Sequence, residues 1–335
     1  MIPFPVLLGD IGGTNARFAI LAGNGEPARP LPSTLTAEHA SPVEAIGCAL
    51  AAGGAPSPRS ALIAVATRVD GTRVRLTNAH WTVDAAEIGG RFGLSRVVLV
   101  NDYVPMAASL TMLRDADLAR LGPEPAPDAV RGAGAKLVLG PGTGLGVAAL
   151  LPFGERLVLQ ATEAGHVEFG PSDAREAALW AQLERVGGRV TAETLLSGPG
   201  LMRLYRALSR TSGRGGTLRT PEAVALAGVS GREDLAGDTL AVFARLLGRF
   251  AGDLALVFGA TGGVFISGGM APTIADSLKA GPFRQGFEDK APYAELMRRI
   301  PTEVIMQPAP AFAGLMAIAS APERFLYAQA AWEPA

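Results

Sequence analysis

Apolar positions in this chain come in short runs broken by glycine, and the residues after each glycine cluster decide how the run folds. Residues 5–21, Pro-Val-Leu-Leu-Gly-Asp-Ile-Gly-Gly-Thr-Asn-Ala-Arg-Phe-Ala-Ile-Leu, read as strand, glycine turn, strand. The second run is short, holds an aromatic and stops at Gly23-Asn24-Gly25, a hairpin-turn signal. A dinucleotide-binding βαβ unit or a P-loop needs a helix at that point instead. Further strands are predicted over 61–66 and 73–76, separated by Asp70-Gly71. Residues 97–100, Val-Val-Leu-Val, predict a strand buried on both faces. That strand runs into Asn101-Asp102. Helical spacing then predicts a helix from about 106 to 121, followed by a proline-rich surface connection over 122–128.

Residues 136–151, Lys-Leu-Val-Leu-Gly-Pro-Gly-Thr-Gly-Leu-Gly-Val-Ala-Ala-Leu-Leu, repeat the opening device, with Gly140 falling against Gly9. Two such hairpins suggest a duplicated α/β architecture. Beyond Gly170 the pattern is mostly helical. Ser172 is expected to cap a helix reaching Gly187-Gly188, and Gly198-Pro199 to open another. A polar, mobile loop is expected over 208–221 and a long apolar helix over 233–258. Residues 262–269 predict a strand that ends in the pair Gly268-Gly269, and a last helix is expected around 312–318.

Composition narrows the classes. The 335 residues are 48% hydrophobic and 18% charged, as in a globular protein. A net charge of -1 gives no global attraction to nucleic acid or acidic membranes, so neither is expected as a partner. Cys48 is the only cysteine, which excludes an internal disulfide and a cysteine-built zinc site. No basic, apolar leader is visible, and apolar stretches break well short of a membrane span. The expected setting is cytoplasmic.

Candidate chemistry gathers at the strand ends. Three glycine loops, around 9–14, 142–144 and 268–269, could present backbone amides to phosphate oxygens without any lysine, with Thr14 and Thr143 adding hydroxyls. Ordinary tight turns are the plain alternative. Asp10 beside the first loop would repel phosphate unless a cation lies between, so it reads as a Mg²⁺ ligand through water; a simple turn aspartate is the alternative. Asn101-Asp102 emerges at the carboxyl end of a buried strand, where ligands bind in open α/β sheets. Asp102 could accept the proton of an attacking hydroxyl, and Asn101 could bond a neighbouring one; helix capping by Asp102 competes. Glu163, His166 and Glu193 have the planar polar ends that grip sugar hydroxyls. A metal site is disfavoured because His39, His80 and His166 lie far apart in sequence, and His166 could instead be a hydrogen-bonded core residue.

In order along the chain stand Gly9-Asp-Ile-Gly-Gly-Thr-Asn-Ala-Arg17, Thr77-Asn-Ala-His-Trp81, Val100-Asn-Asp102, Gly140-Pro-Gly-Thr-Gly-Leu-Gly146, Glu163-Ala-Gly-His166, Leu196-Ser-Gly-Pro-Gly200 and Gly262-Gly-Val-Phe-Ile-Ser-Gly-Gly269. Together they resemble the bacterial glucokinase family from about residue 6 to about 318. The resemblance implies an α/β, ribonuclease H-like (actin-like ATPase) fold of two lobes with a central cleft. It implies a small α/β domain over 1–104, completed by a C-terminal helix within about 308–330, and a large α+β domain over 105–307. It implies ATP-dependent transfer of the γ-phosphoryl group to the 6-hydroxyl of glucose with Mg²⁺, Asp102 as general base, and a homodimer. Glucose would contact Asn101, Asp102, Glu163, His166 and Glu193. ATP phosphates would fall on Gly9, Asp10, Ile11, Gly12, Gly13, Thr14, Gly142, Thr143 and Gly144, and adenosine near Gly268 and Gly269. Arg68 stands where the family usually has proline, and Ala164 where it has glycine, which leaves sugar identity open. A kinase for another hexose or amino sugar, or a catalytically weak sugar-sensing regulator, are the other readings.

Overall fold

The computed structural model describes residues 2–54, 56–122 and 134–334. Two compact units emerge: Met1–Leu113, Leu150–Ala161 and Pro308–Ala335 form the first, and Arg114–Ala149 with Thr162–Gln307 the second. The first unit therefore runs past the expected 1–104 and takes in the segment 150–161.

The first unit is organised by a sheet. Val6–Ile11 pairs antiparallel with Asn15–Leu21 and parallel with Ser60–Val65, which in turn pairs parallel with Arg96–Asn101. Ser60–Val65 is buried at every position, and so are the four apolar residues that precede Asn101. Central parallel strands are covered on both faces, which explains their unbroken apolar runs. Ala330–Trp332 closes one edge by pairing antiparallel with Arg96–Asn101. On the other side Thr34–Leu35 pairs with Ala16 and Asn15. Leu7, Phe18, Ile46, Ile63, Trp81, Ile88 and Leu99 belong to one buried cluster on this sheet.

Register places the chemistry. Ile11, Val65 and Asn101 are aligned across the three parallel strands, so the 12–14 turn and Asp102 leave the same carboxyl edge. At about 4.8 Å per strand, the two lie about 10 Å apart across that edge. The helix Tyr103–Ser109 then packs on Pro310–Ser320, where Gly314 meets the Pro105 carbonyl so closely that no side chain would fit.

In the second unit Lys136–Pro141 pairs parallel with Gly263–Ile266, and that strand with Thr302–Ile305. Leu118–Arg120 adds an antiparallel edge. The long helix Asp234–Phe258 lies against Pro282–Glu288, with Gly248, Gly252 and Gly286 at the crossing, where backbones approach too closely for side chains.

Three local expectations are corrected. The helix expected over 106–121 is only Tyr103–Ser109; a 3-10 turn Asp115–Asp117 and the strand Leu118–Arg120 come after it. Pairing of that strand with Thr302–Ile305 outweighs its helical spacing, as tertiary context often does. Of the expected connection over 122–128, residues 123–128 lie outside the described residues. The helix assigned to Ser172 is capped by Asp173, whose carboxylate accepts from the Glu176 amide at 2.7 Å, and it stops at Trp180. Ser172 instead donates to the Glu176 carboxylate from both its amide and its hydroxyl. Finally, 208–212 belong to the helix Gly198–Ser212. The loop beyond is pinned: the Tyr205 hydroxyl accepts from the amides of Thr217 and Leu218 and donates to Glu233 at 2.5 Å.

Candidate active site

At the edge of the first unit, the turn between its first two strands is tightly organised. The Gly12 amide donates to the Asn15 carbonyl at 2.9 Å. The amides of Gly13 and Thr14 have no acceptor among the described residues. Gly13 has to be glycine, because a Cβ there would lie 2.9 Å from the Asn78 Cβ. Gly9 and Ile11 lie within the strand. A Cβ on Gly9 would press on Ile63 at 3.2 Å, and the Ile11 side chain is fully buried, so Ile11 could offer a ligand only its backbone.

Asp10 is half-buried, and that burial pushes its carboxyl above the ordinary carboxylate range. Arg17, at 4.0 Å, opposes the shift. A desolvated carboxyl beside donor amides is a place where a hydrated divalent cation would relieve the penalty. One carboxylate plus water and phosphate oxygens suits Mg²⁺. Among the described residues no three His, Cys, Asp or Glu side chains gather into a metal cage.

Asp102 precedes the helix Tyr103–Ser109, and its side chain makes no capping bond to it. Capping falls to Asn101, whose Oδ1 accepts from the Tyr103 amide at 2.9 Å. The Asn101 amide group donates to the Thr67 carbonyl at 3.1 Å. Each end of the Asn101 side chain thus retains one hydrogen-bonding position. The main chain of Asp102 is tied to the central strand, its amide donating to the Val65 carbonyl at 3.0 Å. Helix capping as the role of the Asp102 carboxylate is set aside.

In the second unit Glu163, His166 and Glu193 come together although thirty residues separate the first from the last. His166 Nε2 is 3.8 Å from Glu163, and its Nδ1 is 3.9 Å from Glu193. A 3-10 turn over Ala164–His166 makes this possible, because Gly165 lets the turn press against the Leu145 carbonyl. Glu163 and His166 are exposed, so His166 is not a core histidine. Glu193 is half-buried on the short helix Ala192–Leu195, and its Oε2 accepts from the Leu145 amide at 2.8 Å. That bond ties this cluster to the second glycine turn.

The 142–144 turn closes on itself through a 2.8 Å bond from the Gly142 amide to the Gly144 carbonyl. The Thr143 and Gly144 amides have no acceptor among the described residues, as at the first turn. A Cβ on Gly144 would lie 2.5 Å from Glu193 Oε2 and would displace the carboxylate that bonds the Leu145 amide. The Gly142 carbonyl accepts from the Gly198 amide at 2.8 Å, which sets the helix Gly198–Ser212 beside the turn. Gly268, at φ 90°, packs a strand end against the Pro141 carbonyl. The turn and Gly269, though not Gly268, line a cavity of about 480 Å³ together with Pro199, Glu222, Leu226 and Met270.

Glu222, Leu226 and Met270 were not foreseen from sequence, and Pro199 was foreseen only as the start of a helix and part of a motif. A helix beginning with Pro221 reads as ordinary surface until its place beside the turn is known. A cavity of similar size lies elsewhere in this unit, but four of its rim charges pair with one another, Arg245 with Asp173 at 3.3 Å and Arg214 with Asp238 at 2.6 Å. No glycine turn lines it.

Coupling through Glu193 is testable. On the expectation that this cluster takes a sugar and the turn the phosphates of ATP, Glu193→Ala, which removes the acceptor of the Leu145 amide, raises the KM for both by about tenfold, the cost of one buried unpaired donor. Glu193→Gln can still accept from that amide, so its ATP KM should stay within about twofold while the sugar KM rises. Steady-state kinetics with each substrate varied in turn would decide it.

The family model described as Glucokinase matches residues 7–322. A glucokinase of Brucella suis biovar 1 (strain 1330) is 43% identical over 322 residues, covering 96% of this chain and 93% of the relative. The crystal structure of a glucokinase from an Antarctic psychrotroph superposes with a TM-score of 0.80 at 27% identity, covering 95% of this chain and 99% of that one. At fold level, a ROK family glucokinase from Streptomyces griseus, solved in complex with glucose and AMPPNP, gives a TM-score of 0.64 at 20% identity, covering 94% and 97%.

Proposed function

This chain belongs to the glucokinase family, and from that membership we propose that it transfers the γ-phosphoryl group of ATP to the 6-hydroxyl of glucose, with Asp102 as general base. The single observation that carries the assignment is the shared carboxyl edge of the first unit's sheet. It sets an acidic side chain and a turn with two unused amides about two strands apart.

Phosphoryl transfer asks a protein for positioning and charge neutralisation more than for covalent chemistry. Amides of Gly13, Thr14, Thr143 and Gly144 would donate to phosphate oxygens. Asp10 would hold Mg²⁺ through water, and the ion when bound would neutralise phosphate charge. Leu226 and Met270 offer apolar surface for adenine, and Glu222 a carboxylate for ribose hydroxyls. Asn101, Glu163, His166 and Glu193 would fix the sugar. Asp102 would take the proton of the 6-hydroxyl as its oxygen bonds to phosphorus and ADP departs.

Among the described residues no helix is long and apolar enough to cross a membrane. A cytoplasmic homodimer is the assembly we propose, and light scattering would read its mass. A coupled assay over a panel of hexoses and amino sugars, with ATP and Mg²⁺, tests the reaction. Glucose should give the highest kcat/KM, and a mannose or glucosamine optimum would move the assignment to another sugar kinase. Arg68 comes directly after Thr67, whose carbonyl Asn101 holds, and its side chain is exposed. Arg68→Pro is therefore expected to shift the sugar KM more than the ATP KM. An unchanged sugar KM removes Arg68 from sugar recognition.

A further inference from the structure

The first glycine turn is backed by a residue that no motif singled out. Thr36 is 1% exposed and opens a 3-10 turn over Thr36–Glu38. Its hydroxyl donates to the Gly12 carbonyl at 3.2 Å, and its amide donates to the Thr14 carbonyl at 2.9 Å. Two of the turn's carbonyls are therefore tied to one buried threonine.

In a trans peptide the carbonyl and the amide point in opposite directions. The Gly12 carbonyl and the Gly13 amide belong to the same peptide unit. Holding that carbonyl inward on Thr36 turns the Gly13 N–H outward, where it has no acceptor among the described residues. The peptide lies between two glycines, the residue type least able to resist rotation of its flanking dihedrals. Rotated by half a turn, it would present a carbonyl oxygen to a phosphate in place of a donor. Asn78, packed against Gly13, blocks sideways movement of the chain but supplies no bond that sets the direction of this peptide.

The brace is itself anchored. Thr34–Leu35 pairs with Asn15 and Ala16, the Thr34 hydroxyl lies 2.8 Å from His39 Nε2, and the Glu38 carboxylate accepts from the Leu35 amide. The His39 carbonyl accepts from Trp81 Nε1 at 2.9 Å, and Trp81 is 1% exposed in the core. Thr36 is therefore fixed from the buried cluster outward.

We propose that Thr36 is a positioning residue for nucleotide phosphate: its hydroxyl locks the Gly12–Gly13 peptide with the amide outward, so that the turn meets phosphate as a donor. The proposal rests on the reading of this turn as a phosphate site. Its test separates phosphate from the rest of the nucleotide. Calorimetric titration with ATP and, separately, with adenosine would be run on the wild type, Thr36→Val and Thr36→Ser. Valine keeps the shape and the amide but deletes the hydroxyl.

Thr36→Val is expected to weaken ATP about tenfold, the effect of one neutral hydrogen bond and the orientation it secures, with adenosine unchanged within twofold. Thr36→Ser, which retains the hydroxyl, should bind ATP within twofold of wild type. Equal ATP affinity in wild type and Thr36→Val overturns the proposal, as does parallel loss of ATP and adenosine. Should the valine variant not fold, Thr36→Ala, which also deletes the hydroxyl, decides: ATP weakened about tenfold with adenosine unchanged upholds the proposal, and wild-type ATP affinity overturns it. A wild type that binds no ATP would overturn the phosphate-site reading itself, and the proposal with it.

Discussion

Asp102→Asn is expected to lower kcat by about 10²–10⁴-fold, the usual contribution of a positioned general base, with glucose affinity held within a few-fold. The asparagine keeps the shape of the side chain and can still accept a hydrogen bond from a sugar hydroxyl, but it cannot carry away the proton. Two features keep the change local. The Asp102 amide stays on the Val65 carbonyl, and Asn101, not Asp102, caps the next helix. The folded structure therefore loses no capping bond. Rapid-quench kinetics for turnover and equilibrium titration for glucose would measure the two quantities separately. A variant retaining more than a tenth of wild-type kcat would show that the hydroxyl ionises without Asp102, and the base would have to be sought elsewhere.

What made this site legible in the sequence was the contrast between apolar strand and abrupt polar ending. Residues 97–100 are apolar because the strand is covered on both faces, and the chain turns polar at the sheet's carboxyl edge. The glycine hairpins were visible for a related reason. Gly13, Gly144 and Gly165 each sit where a Cβ would collide with a neighbour, so the chemistry of close approach is written as residue type. Lateral partners were not legible. That Glu193 reaches the Leu145 amide, or that Thr36 reaches two carbonyls of a turn more than twenty positions earlier, depends on register and packing. The strand Leu118–Arg120 was misread as helix because its partner, Thr302–Ile305, lies far along the chain. Local spacing holds no record of that pairing.

The second large effect is expected at a helix crossing beside the proposed base, not at a ligand contact. Gly314 on the helix Pro310–Ser320 lies against the Pro105 carbonyl, and even one methyl group has no room there. Pro105 belongs to the helix Tyr103–Ser109, which begins immediately after Asp102. Gly314→Ala must therefore push two buried helices apart. Backbone faces the methyl on the opposing side, so a rotamer change cannot relieve the contact. Overpacking of this kind costs about 3 kcal/mol, and at about 2–4 °C per kcal/mol the thermal midpoint should fall roughly 6–12 °C. A displacement of about 1 Å at a catalytic group can cost about 10²-fold, so kcat should fall by about 10–100-fold at temperatures where the variant is fully folded. The phosphate turn of the same unit is held by Asn15 and Thr36, and the 480 Å³ cavity proposed for adenosine contains none of these residues, so the ATP KM should move less than about threefold. Calorimetry and steady-state kinetics on one preparation give all three values. A drop in stability with wild-type kcat would mean that the position of Asp102 is set by its strand alone, through the Val65 carbonyl, and not by the helix beyond it.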